Sequence, residues 1–251
     1  MKITGRLQEQ QELKQCYESG KPEFVAVYGR RRIGKTFLVR QYFNDKFDFY
    51  TTGMFSASRN EQMAFFCNQL NKYSNGSYPL VDNWFAAFDQ LKTYLSTLKK
   101  KRILVFIDEL PWLYTPKSKF LRALELFWNS WGCMQHRLMQ VVCGSATTWM
   151  TSKLIGDKGG LYNRLTRSIY LSPFTLGECE KYLDELGVRF NRYEQVESYM
   201  ILGGVPYYLS LLKKNLSLSQ NIDSLLFSII NSLIFHLPLN QFMEFRMGLI
   251  A

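Results

Sequence analysis

A short apolar run, Phe24-Val-Ala-Val-Tyr28, leads directly into Gly29-Arg-Arg-Arg-Ile-Gly-Lys-Thr36, and Phe37-Leu-Val-Arg-Gln-Tyr-Phe43 follows with helical spacing. The middle segment satisfies G-x-x-x-x-G-K-[ST] at every fixed position, in the strand–loop–helix setting that gives this pattern its meaning. Its glycines allow a tight turn, so several backbone N–H groups can converge on phosphate oxygens at a helix N-terminus. The cradle is drawn from Gly29, Arg30, Arg31, Arg32, Ile33, Gly34, Lys35, Thr36 and Phe37. Lys35 is placed to reach β- and γ-phosphates, and the Thr36 hydroxyl to complete a Mg²⁺ shell. A nucleoside triphosphate with Mg²⁺ is the expected ligand pair.

The rest of the composition narrows the alternatives. With 251 residues, the chain has room for one large domain or for a core with a smaller appendage. The N-terminus Met1-Lys-Ile-Thr-Gly-Arg6 runs into a polar helix without the apolar stretch that export requires. The longest apolar run, Leu225 to Leu237, is interrupted by Ser228, Asn231, Ser232 and His236 and is too short to span a bilayer. Five cysteines without a C-x-x-C pair disfavour a disulfide framework and a zinc site, and read as buried thiols in a reducing cytoplasm. Two histidines, His136 and His236, are too few to build a nucleophile–base constellation. The net charge of +10 suits an anionic partner such as nucleic acid without naming one. Of the basic clusters, Arg30–Arg32 is explained by phosphate and Lys213-Lys214 by a helix dipole. Lys99–Arg102 reads as a solvated turn or a nucleic-acid contact.

Periodicity predicts helices over about 6–18, 60–73, 82–98 and 118–131, and strands over 24–28, 47–51, 103–107, 139–143 and 168–171. Alternating strands and helices imply an α/β fold, a parallel sheet with helices on both faces. After Pro173 the pattern is helical only, over about 175–186, 193–202 and 206–214. The expected organisation is a P-loop core at 1–173, a helical lid at 174–227 and an atypical tail at 228–251.

The continuous apolar run Ile103–Ile107 reads as a central strand and delivers Asp108-Glu109 to its C-terminal edge, where open α/β sheets bind ligands. Asp108 is the candidate metal ligand, and Glu109 the candidate base for the water that attacks the γ-phosphate. The competing reading is a helix N-cap. Ser145, after Gly144 at the end of the fourth strand, either touches the γ-phosphate or its attacking water, or caps a helix. Arg164 could reach the γ-phosphate of a neighbouring subunit, pair with a carboxylate of its own chain, or stand exposed.

As an ordered set, these motifs resemble the archaeal/bacterial ATPase family of AAA+/STAND P-loop NTPases, relatives of the Orc/Cdc6 initiators. The set is Thr4-Gly-Arg-Leu-Gln-Glu9, the arginine-rich P-loop, Phe106–Trp112, Gly144-Ser145, Gly160–Arg164, Leu171–Phe174 and Gly203-Gly-Val-Pro-Tyr207. The resemblance implies a five-stranded parallel sheet in 5-1-4-3-2 order and an adenine near Gly5-Arg6. It also implies a lid proline, Pro206, against the nucleotide. On bare physics Pro206 is equally a first-turn helix residue. The family usually continues into a nuclease-like domain. Ser228–Ala251 departs from that pattern, the mark of a truncated product or of a natural ATPase-only protein. Three functional readings follow: an ATP-hydrolysing conformational switch, an ATP-regulated DNA-associated module, and a fragment that binds without turnover. The protein partner and oligomeric state are open at this point, and no membrane association is expected.

Overall fold

The structure, a computed structural model, describes residues 2–156, 161 and 163–225. Five strands form one sheet: β1 (Glu23–Tyr28), β2 (Phe49–Thr52), β3 (Ile103–Asp108), β4 (Leu138–Gly144) and β5 (Arg167–Tyr170). All pairings are parallel, in the order β2-β3-β4-β1-β5, which read from the other edge is the 5-1-4-3-2 order the resemblance implied. Every residue of β3 and β4 is buried. That explains their near-continuous apolar sequences, since a parallel sheet has helices on both faces. The order sets β4 between β1 and β3, with Tyr28 level with Gly144 and Ile107 level with Val142. The C-terminal ends of these three strands therefore finish side by side.

Helices α1 (Leu7–Glu18) and α2 (Lys35–Tyr42) pack against the sheet at β1 and β4. The main core holds Phe24, Phe49, Val105 and Val142 with apolar residues of α3 (Arg59–Ser74), α4 (Trp84–Thr97) and α6 (Phe120–Ser130). Its centre is Trp84, fully buried, with ring centroids 4.9 Å from Phe120 and 5.5 Å from Phe66. Such aromatic pairs add about 0.5–1.5 kcal/mol each beyond area burial. Ser58 and Glu61 form a capping box on α3, and Asn83 caps α4, contributing about 1 kcal/mol apiece.

Several boundaries differ from the sequence expectation, each for a visible reason. The second strand starts at Phe49 because the Asp48 side chain accepts from Leu104 N (2.8 Å) and pairs with Lys100. The helix expected over 118–131 starts at Phe120, after Lys119 in the left-handed region (φ 58°). A one-turn helix, α5 (Leu110–Leu113), precedes it with Pro111 in its first turn. Beyond β4 lies a further turn that periodicity missed, α7 (Thr147–Trp149), which continues as a π-helix over Met150–Ile155. Four of the five cysteines are buried, but Cys133 is exposed.

The chain divides into two compact units. The first comprises Arg6–Arg31 and Lys35–Leu171, and the second Lys2–Gly5, Arg32–Gly34 and the chain from Ser172. In the second unit, α8 (Leu176–Leu186), α9 (Arg192–Leu202) and α10 (Pro206–Leu209) surround Phe174, Leu183, Phe190, Leu209 and Leu218. Capping boxes Thr175/Glu178 and Asn191/Glu194 start α8 and α9. Gly204 is required at its position: its φ is +65° and an added Cβ would lie 2.4 Å from Phe174 O. The helix expected over 206–214 stops after one turn. The Asn221 side chain there accepts from Lys213 N (2.7 Å) and donates to the Lys213 and Leu216 carbonyls, both at 3.1 Å. Lys213-Lys214 consequently do not stand at a helix end. The tail at 228–251 lies outside the described residues, as does His236.

Candidate nucleotide-binding site

The loop after β1 turns through three positive-φ residues, Gly29 (146°), Arg32 (71°) and Gly34 (87°), before α2 begins at Lys35. Two of them are glycine, for which this region carries no steric cost. Arg32 is not, and its contacts within the second unit hold it: its Nη1 donates to Tyr208 Oη at 3.0 Å, and its guanidinium lies 4.8 Å from the Tyr207 ring centroid. Lys35 is 5% exposed, and its Nζ donates to Gly29 O (3.1 Å) and Arg30 O (2.8 Å). Among the described residues no carboxylate lies within ion-pairing distance of it. Burial pushes the Lys35 pKa down, and the nearby Glu109 and Asp108 partly oppose that shift. A buried ammonium bonded to two carbonyls, beside a glycine-containing turn that opens a helix, suits an incoming anion.

Asp108 ends β3 and is buried. Burial raises its pKa, opposed by hydrogen bonds from the Thr36 side chain and the Glu109 N–H. The Thr36 hydroxyl and the Asp108 carboxylate are thus already together, one hydroxyl and one carboxylate. Mg²⁺ commonly takes this little from a protein, filling its remaining positions with phosphate and water. Among the described residues there is no cluster of three or more His, Cys, Asp or Glu able to hold a metal by itself. The donor set therefore fits Mg²⁺ arriving with a phosphate ligand.

Glu109 occupies the N-cap position of α5 but does not act as a cap. Its backbone is left-handed (φ 42°, ψ 49°) and its side chain makes no capping bond. Its Oε2 instead accepts from Ser145 Oγ at 2.9 Å, with Ser145 N at 3.4 Å. Ser145 likewise caps nothing, since the N-cap of α7 is Ala146. A non-glycine residue in this conformation costs on the order of 1–3 kcal/mol and persists only where its surroundings over-determine it. Close approaches do so here. Gly53 N donates to Asp108 O (2.9 Å), and a Cβ on Gly53 would lie 2.5 Å from Glu109 O.

The other predicted residues are placed as follows. Gly5 has φ +62°; Arg6 is buried, and its Nη1 donates to Glu9 Oε1 at 3.4 Å. Pro206 stands in the first turn of α10. Arg164 is exposed, and among the described residues no carboxylate pairs with it; residues 157–160 and 162 beside it lie outside those described. In the basic run before β3, Arg102 donates to the carbonyls of Lys21, His136 and Cys16, and Lys100 pairs with Asp48. Sequence reasoning missed Gln62, which is 1% exposed and ties Met54 to Trp112 through three hydrogen bonds. A single glutamine in a helix carries no pattern that could have flagged it.

A parallel sheet with a phosphate-binding loop after β1 and paired acids ending β3 defines a P-loop NTPase. Residues 4–212 match the ATPase domain family found predominantly in Archaea, and the chain belongs to that family. It is 27% identical over 215 residues to the uncharacterized protein MJECL04 of Methanocaldococcus jannaschii, an alignment covering 84% of this chain and 44% of that protein. The chain thus spans less than half the length of this curated relative. Its fold is similar to that of the Walker-type ATPase paby2304 of Pyrococcus abyssi, with a TM-score of 0.66 at 18% identity over 98% of this chain and 76% of that one. It is also similar to the Aeropyrum pernix ORC2 protein in its ADPNP-ADP complexes, with a TM-score of 0.63 at 15% identity over 89% and 69% of the two chains. No helix among the described residues is long and apolar enough to cross a membrane.

Proposed function

We propose that the chain hydrolyses Mg²⁺-ATP at the joined ends of β1, β3 and β4 and uses the nucleotide state as a conformational switch. The observation that carries this reading is the Glu109 carboxylate, which accepts from Ser145 (2.9 Å) rather than capping its helix. With Oε2 held, Oε1 is left to orient a water and take its proton as the water oxygen bonds the γ-phosphorus. The bond from that phosphorus to the β–γ bridging oxygen breaks, and ADP leaves with the electron pair. Lys35 would exchange its two carbonyl partners for phosphate oxygens. Thr36 and Asp108 would hold Mg²⁺, whose charge offsets that of the phosphates.

The switch half of the reading is supported by Arg32. It belongs to the phosphate loop in sequence, and its guanidinium is held by Tyr207 and Tyr208, directly after Pro206. A nucleotide that shifts the loop would be felt by those tyrosines. The adenine contact at Gly5-Arg6, the nucleotide contact of Pro206 and the lid role of the second unit belong to the same proposal. For the DNA-associated alternative, the basic run before β3 offers Lys99 and Lys101, both exposed, while Lys100 and Arg102 there are engaged locally. Arg164 enters only if a second copy completes the site.

Ser145→Ala tests the arrangement. ATP affinity should stay within twofold while kcat falls about tenfold, about 1.4 kcal/mol of transition-state stabilisation. Steady-state phosphate release, with calorimetry for affinity, reads both. An unchanged kcat would remove Ser145 from the site.

A further inference from the structure

The turn that carries Glu109 is held from outside the P-loop and outside β3. The loop between β2 and α3 folds onto it, and Gln62 of α3 fastens that loop. Gln62 Oε1 accepts from Met54 N at 3.0 Å. Its Nε2 donates to Met54 O at 2.6 Å and to Trp112 O at 3.1 Å. Both ends of the amide are satisfied, as a side chain 1% exposed requires. Trp112 belongs to the single helical turn after Glu109, and its N donates to Glu109 O at 2.9 Å. The same Glu109 carbonyl faces Gly53, where even a methyl group would come within 2.5 Å. The Phe55 ring, 5.6 Å from that of Trp112, adds a further contact between the same two segments.

The left-handed conformation of Glu109 is thus gripped on two sides, by Gly53 against its carbonyl and by Gln62 through Trp112. A residue in a sparsely populated conformation relaxes when such constraints are removed. Relaxation here would swing the carboxylate away from Ser145.

We infer that Gln62 is a positioning residue for ATP hydrolysis: its hydrogen bonds go to Met54 and Trp112 rather than to the phosphate loop, and they hold the 109–113 turn in the shape that aims Glu109. This rests on the proposal that Glu109 is the base, and the two can fail separately. The decisive variant is Gln62→Met, which keeps the side-chain volume and removes all three hydrogen bonds. It should lower single-turnover hydrolysis about tenfold and leave calorimetric affinity for a non-hydrolysable ATP analogue unchanged. In the nucleotide-free protein it should also speed hydrogen exchange in the 109–113 segment, a readout independent of turnover. In a Glu109→Gln background, Gln62→Met should have no further effect on hydrolysis, because the group it aims no longer works as a base.

An equal loss in both backgrounds, or unchanged exchange at 109–113, would overturn the inference and leave Gln62 a core residue only. A wild-type rate for Glu109→Gln alone would instead sink the base assignment, while the exchange measurement would still report on the Gln62 brace. Should Gln62→Met fail to fold, Gln62→Glu, which keeps an acceptor for Met54 N but lacks both Nε2 donors, is read by the same three measurements.

Discussion

Glu109→Gln is expected to leave ATP bound and to lower turnover by about 10²-fold or more, the usual worth of a positioned base. The amide keeps the size of the carboxylate and can still accept from Ser145, so the turn after β3 should be preserved. It cannot take a proton from water. Protein mixed with Mg²⁺-ATP should therefore retain the triphosphate for many minutes where wild type yields ADP. Chromatography of the bound nucleotide reads this directly, and ADP appearing at the wild-type rate would take the base role from Glu109.

Lys35→Ala acts one step earlier. Removing one partner of a desolvated, hydrogen-bonded charge pair costs about 2–5 kcal/mol. At about 1.4 kcal/mol per decade, ATP affinity should fall by roughly 30-fold or more. The fold should hardly notice, because among the described residues the ammonium bonds only to the Gly29 and Arg30 carbonyls, and burial already lowers its pKa. Calorimetry alongside a thermal melt separates the two effects. Equal ATP affinity in wild type and variant would contradict the phosphate-binding assignment of the loop.

Legibility in the sequence followed locality. The phosphate loop, the buried strand Ile103–Ile107 and the acids behind it are contiguous, and each was readable because its chemistry and its chain setting coincide. The strand order came from family resemblance, since nothing local in β1 or β4 says that they are neighbours. Ser145 could be nominated from its place at a strand end. Its bond to Glu109 depends on β4 lying beside β3, which no stretch of sequence contains.

The remaining misses share that cause. Asn221 ends the helix begun at Pro206 by binding backbone eight residues away at Lys213, and Gln62 braces Trp112, fifty positions along the chain. Lys119 and Glu109 adopt left-handed backbone without being glycine, so their own residue types did not announce those conformations. Polar side chains that serve backbone at long range leave no periodic mark.

The account turns on whether this site hydrolyses Mg²⁺-ATP, and phosphate release by the purified chain measures it most directly. The expected result is saturable release that needs Mg²⁺, disappears with EDTA and is lost in Lys35→Ala. ATP bound tightly by the wild-type protein, with Mg²⁺-dependent release no greater than that of Glu109→Gln, would contradict it.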